Sequence, residues 1–173
     1  MSRRPSPAPR KRRKAKNSGL RIEVLVRSAR WKRHPDAARI VRRAVTAAAS
    51  AASTPEAELA IVLTDDSAIR ALNRQWRGRD APTNVLSFPA APSREKPPHL
   101  GDIIIAHQTV AREARAEGKP FGHHLAHLAV HGFLHLLGYD HDNDRAARKM
   151  EGLETEILAR MRVPDPYADD AKA

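Results

Sequence analysis

The 173-residue sequence predicts a single α+β domain, a roughly four-stranded mixed sheet packed with helices. Three observations carry that expectation. Leu20, Ile22, Val24 and Val26 alternate with mostly polar residues, as a half-buried strand does. Gly101-Asp102-Ile103-Ile104-Ile105-Ala106 contains an unbroken apolar run, the mark of a strand covered on both faces and expected near the centre of the sheet. Ala146, Met150, Leu153, Ile157 and Met161 recur every three or four residues, which is a buried helical stripe.

The other elements follow in order. Pro35-Asp36 opens a helix running to about Ala52, with Ile40, Val41, Ala44 and Ala48 on its apolar side, and Ser53-Thr54-Pro55 breaks it. Leu59, Ile61 and Leu63 mark a second strand. Asp65 or Asp66 caps a short helix carrying Ile69 and Leu72. Asn73 to Thr83 is dense in charge and turn formers and is expected as a loop. It feeds a strand, Asn84-Val85-Leu86-Ser87-Phe88, stopped by Pro89; residues 90–100, with Pro92, Pro97 and Pro98, read as a surface loop. After the central strand, His107 to Glu117 is expected as a helix closed by Gly118, and Pro120 suits the first turn of the next one. Asp142, Asn143 and Asp144 offer caps for the last helix, which Pro164 ends. The expected organisation is one domain over residues 19–164, a disordered basic arm over 1–18 and a short tail over 165–173.

Composition narrows the chemistry. With no cysteine, disulfides and thiolate zinc sites are excluded, and histidine and carboxylates remain as metal ligands. No run of eighteen apolar residues exists to span a membrane, and the basic N-terminus lacks the apolar core of a secretory signal, so a cytoplasmic location is expected. The formal net charge is +11, of which the first eighteen residues carry +8, leaving +3 for the remaining 155. Such an arm is either a solvated tail or an electrostatic tether to nucleic acid.

The chemistry concentrates in His131-Gly132-Phe133-Leu134-His135-Leu136-Leu137-Gly138-Tyr139-Asp140-His141. Histidines four apart share a helix face, so His131 and His135 can grip one ion. Gly138 stops the helix in the left-handed conformation, and the reversed chain brings His141 back as a third nitrogen ligand. Three protein ligands leave one vertex of a tetrahedral Zn2+ open, so one zinc per chain in a catalytic arrangement is expected. The frame matches a zincin-like metal helix, except that Gly132 stands where the zinc proteases place a glutamate base.

Two blocks resemble the YbeY family of bacterial rRNA-maturation endoribonucleases: Trp76 through Pro89, and His131 through His141. Leu100-Gly101-Asp102-Ile103, Met150-Glu151 and Leu153-Glu154 support the match, which covers roughly residues 20 to 168. The resemblance implies a zinc-dependent, single-strand-specific endoribonuclease acting in 3′ end maturation of small-subunit rRNA and in ribosome quality control. It implies His131, His135 and His141 as the metal ligands and Arg77 as a catalytic arginine. The implied partners are single-stranded RNA, rRNA and the small ribosomal subunit, with ribosomal proteins and an Era-type GTPase as further candidates.

Each residue also has a plainer reading. Arg77 suits a clamp on phosphoryl oxygens, but a surface ion pair with Asp80 would use it as well. Asp140 and Asp142 either orient a ligand imidazole or simply cap the turn, and the general base is unassigned. His127 is expected as a hydrogen-bonded core residue, His123 and His124 as solvent-facing, and Met150 as core. Trp76, Phe88 and Tyr139 are suited either to base stacking or to packing. A metallopeptidase sharing the ligand spacing and a non-catalytic ribosome assembly factor with a structural metal are the competing functions. Gly132 argues against the first.

Overall fold

A computed structural model describes residues 19–94 and 96–168; the basic arm and the last five residues lie outside the described residues. The strands are β1 (Leu20–Val26), β2 (Ala57–Thr64), β3 (Val85–Pro89) and β4 (His99–Ala106). The helices are α1 (Ala37–Ala51), α2 (Asp66–Arg77), α3 (His107–Ala116), α4 (Phe121–Leu136) and α5 (Asp144–Arg160), with a short 3-10 turn at Ala29–Arg33 before α1. The strands form one mixed sheet in the order β1-β2-β4-β3. β1, β2 and β4 run parallel, and β3 pairs antiparallel to β4. β4 lies between β2 and β3 and is covered by α4 on one face and α2 on the other, which accounts for its apolar run.

Strand alternation sorts the core into two layers. Leu59, Ile61, Leu63, Val85, Ile103 and Ile105 point to the face covered by α1, α4 and α5. Leu86 and Ile104 point to the other face, where they pack with Ile69 of α2. Of the offered caps, the chain uses Asp65 and Asn143, each accepting from the backbone N–H three residues on. Met150 is fully buried in the larger layer. Pro120 sits at the cap of α4, one residue before its expected place in the first turn.

Residues 73–77 correct one expectation: they continue α2 instead of forming a loop. Arg74, Gln75 and Arg77 are good helix formers, and the buried Asn73 ties the helix to the following chain by donating to Ala81 O at 2.8 Å. Gly78 ends α2 in the left-handed conformation. Arg77 is thus the last residue of a helix, not a point on a mobile connection. A second correction concerns β4, which begins at His99, inside the stretch expected as loop.

α4 lies unusually close to the sheet at Gly132. A β-carbon there would stand 2.8 Å from Ile103 Cγ2 and 3.1 Å from Ser87 Oγ. Ser87 Oγ uses the approach to donate to Gly132 O at 3.0 Å. The absence of a side chain at residue 132 is therefore a packing requirement. Gly132→Ala should lower stability by about 1–3 kcal/mol through overpacking, seen as a lower denaturant midpoint at unchanged slope; an unchanged midpoint would show that the helix and sheet are free to part.

Candidate metal centre

α4 carries His131 and His135 on one face near its C-terminus, where the helix dipole favours a cation. The helix then closes in a Schellman motif. Tyr139 N–H donates to Leu134 O and Gly138 N–H to His135 O, both at 3.0 Å, with Gly138 at φ 88°. The reversal returns His141 to its sisters. His135 Nε2 lies 3.1 Å from His131 Nε2 and 3.2 Å from His141 Nε2, and ligand nitrogens of all three lie within 4.8 Å of one another.

These distances fit a shared cation. Zinc–nitrogen bonds of about 2.0–2.1 Å at tetrahedral angles set ligand nitrogens roughly 3.3 Å apart. The far sides of two of the rings, those of His131 and His135, are engaged as well. His131 Nδ1 donates to Glu154 Oε1 at 2.8 Å, and the ring of His135 hydrogen-bonds the backbone of Tyr139. With those nitrogens used as donors, the Nε2 atoms of neutral rings present lone pairs to each other. A shared cation would relieve the repulsion between two such lone pairs 3.1 Å apart. Burial holds His135 below the usual imidazole range, and the neighbouring rings of His131 and His141 add to the effect, which keeps it neutral and able to ligate.

Glu154 is the residue that sequence reasoning missed. It projects from α5, is fully buried, and accepts from His131, from His127 Nε2 at 3.1 Å and from the hydroxyl of Tyr167. Burial opposes its ionisation, but the hydrogen bonds from His127, His131 and Tyr167 outweigh that cost and hold its pKa at about 2. A signal existed: Glu154 stands four residues after Met150 and three before Ile157, on the buried stripe of α5, where a carboxylate needs partners. His127, Glu154 and His131 also form a group with metal-ligand spacing, but their contacts are ordinary hydrogen bonds and need no ion.

Arg77, Thr83, Asn84, Val85, Ser87 and Pro89 line one cleft of about 430 Å³ together with the three histidines. Asp80, the alternative partner for Arg77, is taken: Arg70 holds it with two bonds of 2.8 and 2.9 Å. Among the described residues Arg77 makes no ion pair, so its guanidinium is available to the cleft. His124 corrects an expectation, being buried, not solvent-facing; it contacts Glu113 Oε2 at 2.7 Å. Asp140 accepts from Asp142 N–H at 3.2 Å and so serves the turn. Trp76 is exposed and edge-on to Phe88, which packs on the α2 side of the sheet.

Fold and cleft together define a class: an α+β enzyme domain with a three-histidine group able to hold a metal ion beside an unpaired arginine. The sequence profile of the family Endoribonuclease YbeY matches residues 26–162, and the chain belongs to that family. An Endoribonuclease YbeY of Bradyrhizobium diazoefficiens is 57% identical over 155 residues, 85% of each chain. Another, of Rhodopseudomonas palustris strain BisB18, is 58% identical over 85% of this chain and 92% of its own. The solution structure of TM1509 from Thermotoga maritima is similar at a TM-score of 0.51 and 25% identity, over 82% of this chain and 91% of that one. The chain is an endoribonuclease, and its substrate is RNA.

The Glu154 contact yields a direct test. Glu154→Gln keeps the volume but removes the carboxylate that fixes His131, and should weaken zinc binding by about 10- to 100-fold in competition with a chromophoric chelator. Affinity equal to that of the unaltered protein would leave Glu154 without a part in the centre.

Proposed function

We propose that the chain is a zinc-dependent, single-strand-specific endoribonuclease that acts in the cytoplasm, in 3′ end maturation of small-subunit rRNA and in ribosome quality control. The observation that carries this reading is the convergence of His131, His135 and His141 on one cleft with Arg77, in a chain of the endoribonuclease family. The three imidazoles would hold Zn2+, with Glu154 fixing the ring of His131 from behind. Zinc so held supplies Lewis acidity, polarising a phosphoryl oxygen and making water a better nucleophile at neutral pH.

The chain's own groups do the rest. Arg77 would meet the non-bridging oxygens as they gain negative charge, presenting paired donors from a helix end whose position is fixed. Thr83, Asn84 and Ser87, on and just before the edge strand, form the wall against which a single strand would lie. Gly132 supplies no base, and the sheet leaves no room for a glutamate there, which disfavours the peptidase reading. The small ribosomal subunit, its proteins and an Era-type GTPase are proposed as the setting in which that strand is presented.

Arg77→Ala should lower cleavage of single-stranded RNA by about 10²–10³-fold with metal content unchanged. Chelation should abolish cleavage, and added zinc should restore it. Undiminished cutting by the arginine variant, or by a rigorously metal-free preparation, would remove the mechanism. Zinc-loaded protein that binds rRNA but never cuts it would favour a non-catalytic assembly factor.

A further inference from the structure

The folded part of the chain hides a charge separation inside its modest net charge. Residues 24–55 hold seven cations, Arg27, Arg30, Lys32, Arg33, Arg39, Arg42 and Arg43, against the single acid Asp36. That stretch alone is +6, so what remains of the chain outside it and the first eighteen residues is −3. All seven cations are exposed. They occupy the end of β1, the 3-10 turn Ala29–Arg33 and the outer side of α1, whose inner side is buried through Val41, Ala44, Val45 and Ala48.

Little of this charge is spent internally. Arg39 pairs with Asp36 at 3.0 Å and Arg42 donates to the carbonyl of Ile22. Among the described residues, Arg27, Arg30, Lys32, Arg33 and Arg43 have no carboxylate within 4.0 Å. The patch also lies away from the metal centre. Ile40, in the first turn of α1, packs at Gly122 in the first turn of α4, whereas the metal ligands sit in its last two turns. With a rise of about 1.5 Å per residue, that separation is roughly 15–20 Å along α4.

We infer that this surface docks the phosphate backbone of an RNA duplex that flanks the single strand in the cleft. The inference rests on the endoribonuclease reading for its substrate class. Three features select a duplex backbone. The outer side of α1 displays Arg39, Arg42, Arg43, Ala38, Ala47, Thr46 and Ser50, with no aromatic ring to stack on unpaired bases. Arg43 and Arg39, whose pair with Asp36 is solvent-facing and so weak, stand one turn apart, about 5–6 Å between β-carbons, a spacing that neighbouring phosphates along one strand also have. Duplex RNA is recognised chiefly by shape and by contacts to phosphate and 2′-hydroxyl groups, which asks for exposed cations and not for a base-reading pocket. An anionic lipid surface fits less well, because an interfacial helix needs a free apolar face and the apolar face of α1 is in the core.

The test compares the full chain with its Lys32→Glu, Arg33→Glu, Arg43→Glu variant on two RNAs: a hairpin with a single-stranded 3′ extension, and the extension alone. The variant should bind the hairpin RNA at least about tenfold more weakly at moderate salt, with a salt slope shallower by about two. It should cut the bare extension at the rate of the unaltered protein and keep the same thermal midpoint. Equal affinity of both proteins for the hairpin RNA would overturn the inference. So would equal losses on both RNAs, which would make the patch part of the single-strand track. Lost binding to phosphatidylserine vesicles with hairpin affinity intact would assign the surface to lipid instead. If the unaltered protein binds the hairpin through these residues yet cuts neither RNA, the surface stands and the endoribonuclease reading fails.

Discussion

A carboxylate with no access to water holds the ring of His131, one of three histidines able to share a metal ion, and the site is built outward from that contact. Glu154 reaches from α5 to Nδ1 of His131 on α4 and collects two more donors, His127 and the hydroxyl of Tyr167. Left unpartnered, a buried carboxyl of this kind would take up a proton, so the donors are what keep it charged. The same bonds settle which nitrogen of His131 carries the proton and which is free to ligate. Structure and chemistry therefore share one hydrogen bond. The segment after α5 is drawn in as well: besides Tyr167, Pro166 O accepts from Lys119 Nζ at 3.0 Å.

The cleft is assembled from element ends, which suits a site that must hold its geometry. Arg77 closes α2 on one face of the sheet, and His131 and His135 close α4 on the other. The edge strand β3 lies between them and lines the cleft through Val85 and Ser87. α4 comes near enough to complete the cleft because residue 132 has no side chain, and the Ser87 hydroxyl fastens the approach. The position that a zinc protease uses for its base is used here for helix–sheet contact. One backbone can place three histidines in the shared spacing and still leave no room for a glutamate at residue 132.

Much of this was legible in the sequence, for physical reasons that differ by residue. The convergence of His131, His135 and His141 could be read because they are close in sequence and a helix repeat plus a glycine stop brings them together. β4 could be placed at the centre of the sheet because only a strand covered on both sides carries such a run of isoleucines. Arg77 was legible as a residue but not as a helix end, since charge and a following Gly-Arg-Asp-Ala-Pro stretch resemble a loop until Asn73 is seen tied to Ala81. Glu154 and His124 escaped because each depends on a partner from another element, 23 residues away in one case and 11 in the other. The basic surface escaped for a different reason: charge summed over the domain cancels the excess of cations in residues 24–55, and folding adds only that all seven are exposed.

The central claim is that three imidazole nitrogens share one divalent cation and leave a vertex free for substrate or water. X-ray absorption at the zinc edge of the metal-loaded protein measures this most directly. A cation held in this way gives three imidazole nitrogens at about 2.0–2.1 Å and a fourth light ligand that exchanges with solvent. A fourth ligand from the protein, or fewer than three imidazoles, would contradict it.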